Sequence, residues 1–163
     1  QNNTSNRYDD YDTLLIKRLL QRDLPLDIRK SICDKLFKEF VSRDIEDFSS
    51  YLYMNLKEVK EIYNCGHEIG LHGYNHEWLS FLNDKDLDFE INESLSFWKS
   101  NKIISNKWTM SYPYGDYNES TINIISSLGC THAVTTVPNH NEYNISNYYK
   151  LSRWDTNDFP KHN

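Results

Sequence analysis

Gly66-His-Glu-Ile-Gly-Leu-His-Gly-Tyr-Asn-His76 is the stretch on which the reading of this chain turns. Residues 67–72 read as a short strand running into a loop. His72 and His76 stand four apart, so a loop that turns as one helical turn puts both imidazoles on one side. Two neutral imidazoles at that spacing suit zinc or a similar divalent ion. A catalytic metal site also needs a third protein ligand, often a carboxylate, and an open position for water. The alternative is a structural α/β domain in which the two rings are packed or hydrogen-bonded. The flanking Gly70 and Gly73, at a strand end where ligands collect, favour the metal.

Working outward, Asn55 is placed to cap a helix carrying Leu56, Val59 and Ile62, which Gly66 ends. A long helix follows the histidines, with Leu87, Ile91, Leu95 and Trp98 on one face. Residues 108–111 form a candidate strand, ended by Pro113 and Gly115. Asn118 can cap a helix over 119–128, closed by Gly129. Residues 132–136 and 151–154 are further candidate strands. Alternating helices and strands imply parallel strands with helical crossovers, in a barrel or an open sheet. Sites in such folds are built at the C-terminal strand ends.

The first part of the chain reads differently. Residues 1–10 are polar. Leu14, Leu15, Leu19 and Leu20 make one helical stripe. Pro25 opens a second helix, with Ile28, Ile32, Leu36 and Phe40 recurring every four residues. A polar stretch at 42–47 separates it from the next element. The expected organisation is one domain over 1–163, mainly helical over 11–64 and β/α over 65–159.

Two more strand ends carry chemistry-bearing residues. In Ser111-Tyr-Pro-Tyr-Gly-Asp-Tyr-Asn118, Pro113 and Gly115 fix a tight backbone. Such a turn can aim the Tyr114 N–H at a developing oxyanion, or serve as an ordinary strand-to-helix turn. In Leu151-Ser-Arg-Trp-Asp-Thr-Asn-Asp158, Arg153 can hold a carboxylate through a bidentate pair. Trp154 can be a sugar platform or a core residue.

Composition bounds the partners. The 163 residues suffice for one globular domain, and 38% hydrophobic with 26% charged residues excludes bulk disorder. Twelve tyrosines and four tryptophans leave some aromatic rings for stacking on a ligand. The net charge of −6 argues against nucleic acid. No apolar run reaches the length of a membrane span. Cys33, Cys65 and Cys130 are an odd number at wide spacings, with no disulfide or zinc-ribbon pattern, which fits a reducing, cytoplasmic setting.

In this order, the segments resemble the polysaccharide deacetylase family, also called the NodB-homology or carbohydrate esterase family 4 enzymes. Gly66 to His76 looks like its His-rich second motif. Tyr112-Pro113-Tyr114-Gly115 looks like its third, in a tyrosine–proline variant, and Arg153 to Asp158 is similar to its fourth. The resemblance covers about Tyr53 to Phe159, and residues 11–50 look like a family-branch insertion. It implies a partial, distorted (β/α) barrel and a divalent metal, usually zinc, held by two histidines and an aspartate. His72 and His76 carry over as ligands, with Asp10 of the Asp9-Asp10 pair as a candidate third. Tyr114 carries over as the backbone oxyanion donor, Arg153 and Asp155 as catalytic candidates, and Tyr112, Pro113 and Trp154 as substrate-binding ones. The implied reaction removes acetyl groups from an N-acetylated sugar of a polysaccharide or glycan.

Three departures stand out. No apolar strand precedes Asp9-Asp10 and no glycine follows it, so the family's paired-aspartate motif is expected upstream of Gln1. The arginine usual near the third motif is replaced at Ser111. The late leucine–x–histidine motif is not visible, and His162 lies in a polar tail. The chain is therefore read as N-terminally incomplete, expected to bind metal weakly or not at all on its own. The rival from another class is a degenerate, non-catalytic carbohydrate-binding relative.

Overall fold

The structure is a computed structural model that describes residues 9–138 and 148–159. The chain divides into two compact units, Gln1–Val59 and Lys60–Asn163.

The first unit is helical. Helix α1 spans Tyr11–Arg18 and opens where the Asp10 carboxylate accepts the Thr13 N–H at 2.8 Å. It runs into a π turn, Leu19–Asp23, closed by the Leu24 N–H on the Leu19 carbonyl. Helix α2, Leu26–Phe40, starts directly after Pro25. Helix α3, Ile45–Leu52, starts inside the stretch that reads as a polar separator, because the Asp44 side chain accepts the Asp47 N–H and caps it. Phe37 and Phe48 meet edge to face at 5.1 Å. No described residue before Val59 is buried.

The second unit holds the core. Helix α4, Leu56–Asn64, leads into it from across the boundary; the Asn55 side chain accepts the N–H groups of Lys57 and Glu58. Helix α5, Asp84–Ser100, buries Leu87, Ile91 and Leu95, while Trp98 is only half-buried. Strand β1, Trp108–Ser111, pairs in parallel with strand β2, Cys130–Val134. Between them, helix α6, Glu119–Ser127, begins at a capping box in which Asn118 and Thr121 satisfy each other's backbone. It buries Ile125 completely. This β–α–β crossover carries, at the end of β1, one of the strand ends at which chemistry-bearing residues stand.

The strands read at 67–72 and 151–154 are reduced to single parallel bridges, Leu71 to Met110 and Val134 to Leu151. At Leu71 the cause is local. Leu71 N–H bonds the Thr109 carbonyl and Ser111 N–H bonds the Leu71 carbonyl, a regular parallel step. The Ser111 carbonyl, which the next step of the ladder would use, is instead taken by the His72 ring at 2.6 Å. A side chain thus competes with the backbone and ends the strand. The result is a fold of helices with a small parallel sheet. Among the described residues the sheet has two strands, and the partial, distorted barrel expected from the sequence is not shown. No described helix is long and apolar enough to cross a membrane.

Gly129 makes the turn from α6 into β2 with φ +95°. A Cβ there would lie 2.2 Å from the Asn106 carbonyl oxygen. Gly129→Ala should therefore destabilise the chain by about 1–3 kcal/mol for the strained backbone alone, with the steric contact adding to it. Urea unfolding measures this, and a change within about 0.5 kcal/mol, the range of neutral surface substitutions, would contradict it.

Candidate metal centre

His72 leaves the sheet one residue after the Leu71 bridge, and its Nδ1 lies 2.6 Å from the Ser111 carbonyl oxygen. A carbonyl only accepts, so Nδ1 carries the proton and Nε2 presents its lone pair. His76 Nε2 lies 3.1 Å from that Nε2, with the rings edge to face. In this contact the His76 Nε2–H must donate; moving that proton to Nδ1 gives two lone pairs aimed at one point. Two zinc–imidazole bonds of about 2.0–2.1 Å at a tetrahedral centre separate their nitrogens by roughly 3.3 Å. The pair therefore fits as two ligands of a divalent ion.

The site stores backbone strain. His76 has φ 60° and Tyr114 has φ 58° and ψ 5°, the left-handed region that residues with side chains seldom adopt. The surroundings hold both. The Tyr114 ring lies flat on Trp78, at 4.4 Å with 7° between planes, and meets His76 edge to face at 4.7 Å. Behind this stack, the Asp116 carboxylate accepts the Ser80 N–H at 2.7 Å and its hydroxyl at 2.8 Å. The two loops that leave the bridge at Leu71 and the end of β1 are thereby laced together.

The same packing keeps His76 neutral. Its pKa is lowered from 6.5, first by partial burial and then by the neighbouring His72. A neutral imidazole is the form that ligates.

The other sequence-derived residues are spread more widely. Asp10 caps α1 in the helical unit. Among the described residues no group of three His, Cys, Asp or Glu side chains could hold a metal ion. Tyr112 and Pro113, expected to border the substrate, are buried. The Tyr112 ring stacks on Tyr117 at 4.6 Å and its hydroxyl donates to the Tyr149 carbonyl, so both residues serve packing. Burial pushes the Tyr112 phenol well above its usual range. Arg153 Nη1 donates to the Ser111 hydroxyl at 3.1 Å rather than to a carboxylate. Asp155 caps the 3-10 turn Thr156–Asp158, in a capping box with Asp158. Trp154 is exposed, tilted against Phe159, and is not a core residue. His162 lies outside the described residues.

Three contributors escape a reading of motifs: Trp78, Asp116 and Glu90. Glu90 is only 2% exposed on the apolar face of α5, three residues after Leu87. A charge within that stripe is the signal that could have singled it out.

The lowered His76 pKa has a definite sign. The unfolded chain returns His76 to its ordinary value and so binds more protons just below pH 6.5. The contribution to stability is full above pH 6.5 and is lost as pH falls through the lower folded value. Histidine NMR titration should place the His76 midpoint below 6.5. His72→Ala should raise it only part of the way, because burial, the larger cause, remains. An unshifted wild-type midpoint would contradict this.

The family model described as polysaccharide deacetylase matches residues 40–133, more than half of the chain. Among solved structures, the fold is similar to that of the Streptococcus pyogenes deacetylase PplD in complex with acetate. The TM-score is 0.58 at 21% identity, over 85% of this chain and 69% of that one. No curated protein matches in sequence. The motif order, the family match and the shared fold agree: the chain belongs to the polysaccharide deacetylase family.

Proposed function

We propose that this chain carries the metal-holding and oxyanion-binding portion of a hydrolase that removes acetyl groups from an N-acetylated sugar. Zinc is the first choice of metal. The observation that carries the proposal is the 3.1 Å approach of the His72 and His76 Nε2 atoms, with His72 fixed in the ligating tautomer by Ser111. Acetate, bound in the S. pyogenes deacetylase, is the product such a reaction releases.

When bound, a divalent ion lowers the pKa of a coordinated water and polarises the acetyl carbonyl. The chain's own residues hold and orient. The Ser111 carbonyl keeps the His72 proton on Nδ1, away from the ligating nitrogen. Partial burial keeps His76 uncharged, so that metal does not compete with a proton near neutral pH. The Tyr114 N–H is the proposed donor to the oxyanion, held by a left-handed turn that the Trp78 stack supports. Arg153 fixes the Ser111 side chain, on the residue that orients His72. Trp154, exposed beyond the Leu151 bridge, is the proposed platform for a sugar ring.

The test is acetate release from N-acetylglucosamine oligomers by the protein that carries this chain, with and without added zinc. Release should depend on the metal. His72→Ala and His76→Ala should each lower it by at least roughly 100-fold, the upper end of losses seen for groups that merely support a ligand. Metal-independent release, or release untouched by either substitution, would contradict the proposal. Oligomer binding without any release would favour the carbohydrate-binding reading.

A further inference from the structure

The loop between the two histidines wraps around a buried carboxylate. Glu90 Oε1 accepts the consecutive backbone N–H groups of Tyr74 at 2.9 Å and Asn75 at 2.6 Å. Its Oε2 accepts the Asn75 side-chain amide at 3.1 Å. All three partners are N–H donors, a set an ionised carboxylate satisfies fully and a neutral amide only in part. No described lysine or arginine pairs with Glu90. Two of its partners are consecutive backbone N–H dipoles, arranged as in an anion-binding nest.

The loop is built to admit this group. Gly73 has φ +79°, and a Cβ there would lie 2.9 Å from Glu90 Oε1. A side chain at 73 would press on the carboxylate and force it to shift. A second contact from α5 touches the same loop: the Phe89 ring meets Tyr74 edge to face at 5.9 Å. His76, with its left-handed backbone, comes directly after Asn75.

We propose that Glu90 is a positioning residue for the His72/His76 pair. Its carboxylate takes the place of a bound anion inside the 73–75 turn and fixes the path that returns His76 to His72. Its link to metal binding rests on the proposed deacetylase function. A purely structural role makes a different forecast: Glu90→Leu leaves the Tyr74 and Asn75 donors without their acceptor and lowers stability, while zinc affinity and the ring contact of the folded chain stay as in wild type.

The experiment compares the full chain with Glu90→Gln and Glu90→Leu. It reads the thermal midpoint, the His72–His76 ring contact by NMR in the metal-free state, and zinc affinity by chelator competition. In Glu90→Leu the midpoint should fall, because three N–H donors lose their acceptor, and in the chain that remains folded the inter-ring NMR contact should disappear. The zinc dissociation constant should increase by roughly 10–100-fold, the range for groups that orient metal ligands. Glu90→Gln, which keeps one acceptor oxygen, should fall between wild type and Glu90→Leu in both readouts. A Glu90→Leu chain that keeps the inter-ring contact, or binds zinc as wild type does, overturns the proposal. If Glu90→Leu fails to fold, Glu90→Gln decides by the same contact. A wild-type chain that shows the contact but takes up no zinc counts against the proposed function, while the variants still decide the role of Glu90.

Discussion

The bond between His72 Nδ1 and the Ser111 carbonyl sits at the junction of fold and site. Ser111 is the last residue of β1, and its carbonyl would ordinarily continue a parallel ladder to the strand beside it. By giving that acceptor to an imidazole, the chain stops the ladder after the Leu71 bridge and releases the loop that carries both histidines. The same bond selects the His72 tautomer. One hydrogen bond therefore sets where the sheet ends and which nitrogen faces the site.

Ending the strand there obliges the loop to double back within four residues. It does so through left-handed backbone at His76, matched by left-handed backbone at Tyr114 on the neighbouring strand end. Each such residue costs of order 1–3 kcal/mol and persists only when its surroundings over-determine it. Here they do: Tyr114 is stacked on Trp78 and touches His76, and Asp116 pins Ser80. Glu90 holds the turn from beneath. The rigid part of the site is thus assembled from α5, β1 and the two loops. Arg153 stands at its more exposed margin, with Nη1 on the Ser111 hydroxyl.

Much of this framework is legible in the sequence. The apolar repeat of α5, the Asn118 cap and the parallel β1–α6–β2 crossover follow from periodicity and capping chemistry, both local. The four-residue spacing of the histidines anticipates that their rings meet, but not how: the loop bends through left-handed backbone at Gly73 and His76 instead of making the expected helical turn. What local pattern cannot supply is the outcome of contacts distant in sequence. Residues 67–72 look like a strand, but beyond Leu71 the Ser111 carbonyl, far along the chain, goes to the His72 ring where the ladder would otherwise continue. Tyr112 reads as a site aromatic beside Pro113, but the Tyr149 carbonyl and the Tyr117 ring draw it inward. Glu90 reads as one more helix charge because its partners are backbone amides fifteen and sixteen residues away. Helix α3 is hidden for a simpler reason: its cap, Asp44, lies in a polar run that resembles a linker.

In the proposed function, His72 and His76 are two Nε2 ligands of one divalent ion. A crystal structure of the chain soaked in zinc, with the metal located by its anomalous scattering, tests this most directly. A single peak is expected about 2.0–2.1 Å from both Nε2 atoms, with His72 Nδ1 still on the Ser111 carbonyl. A peak bound through either Nδ1, or zinc found only away from the pair, would contradict it.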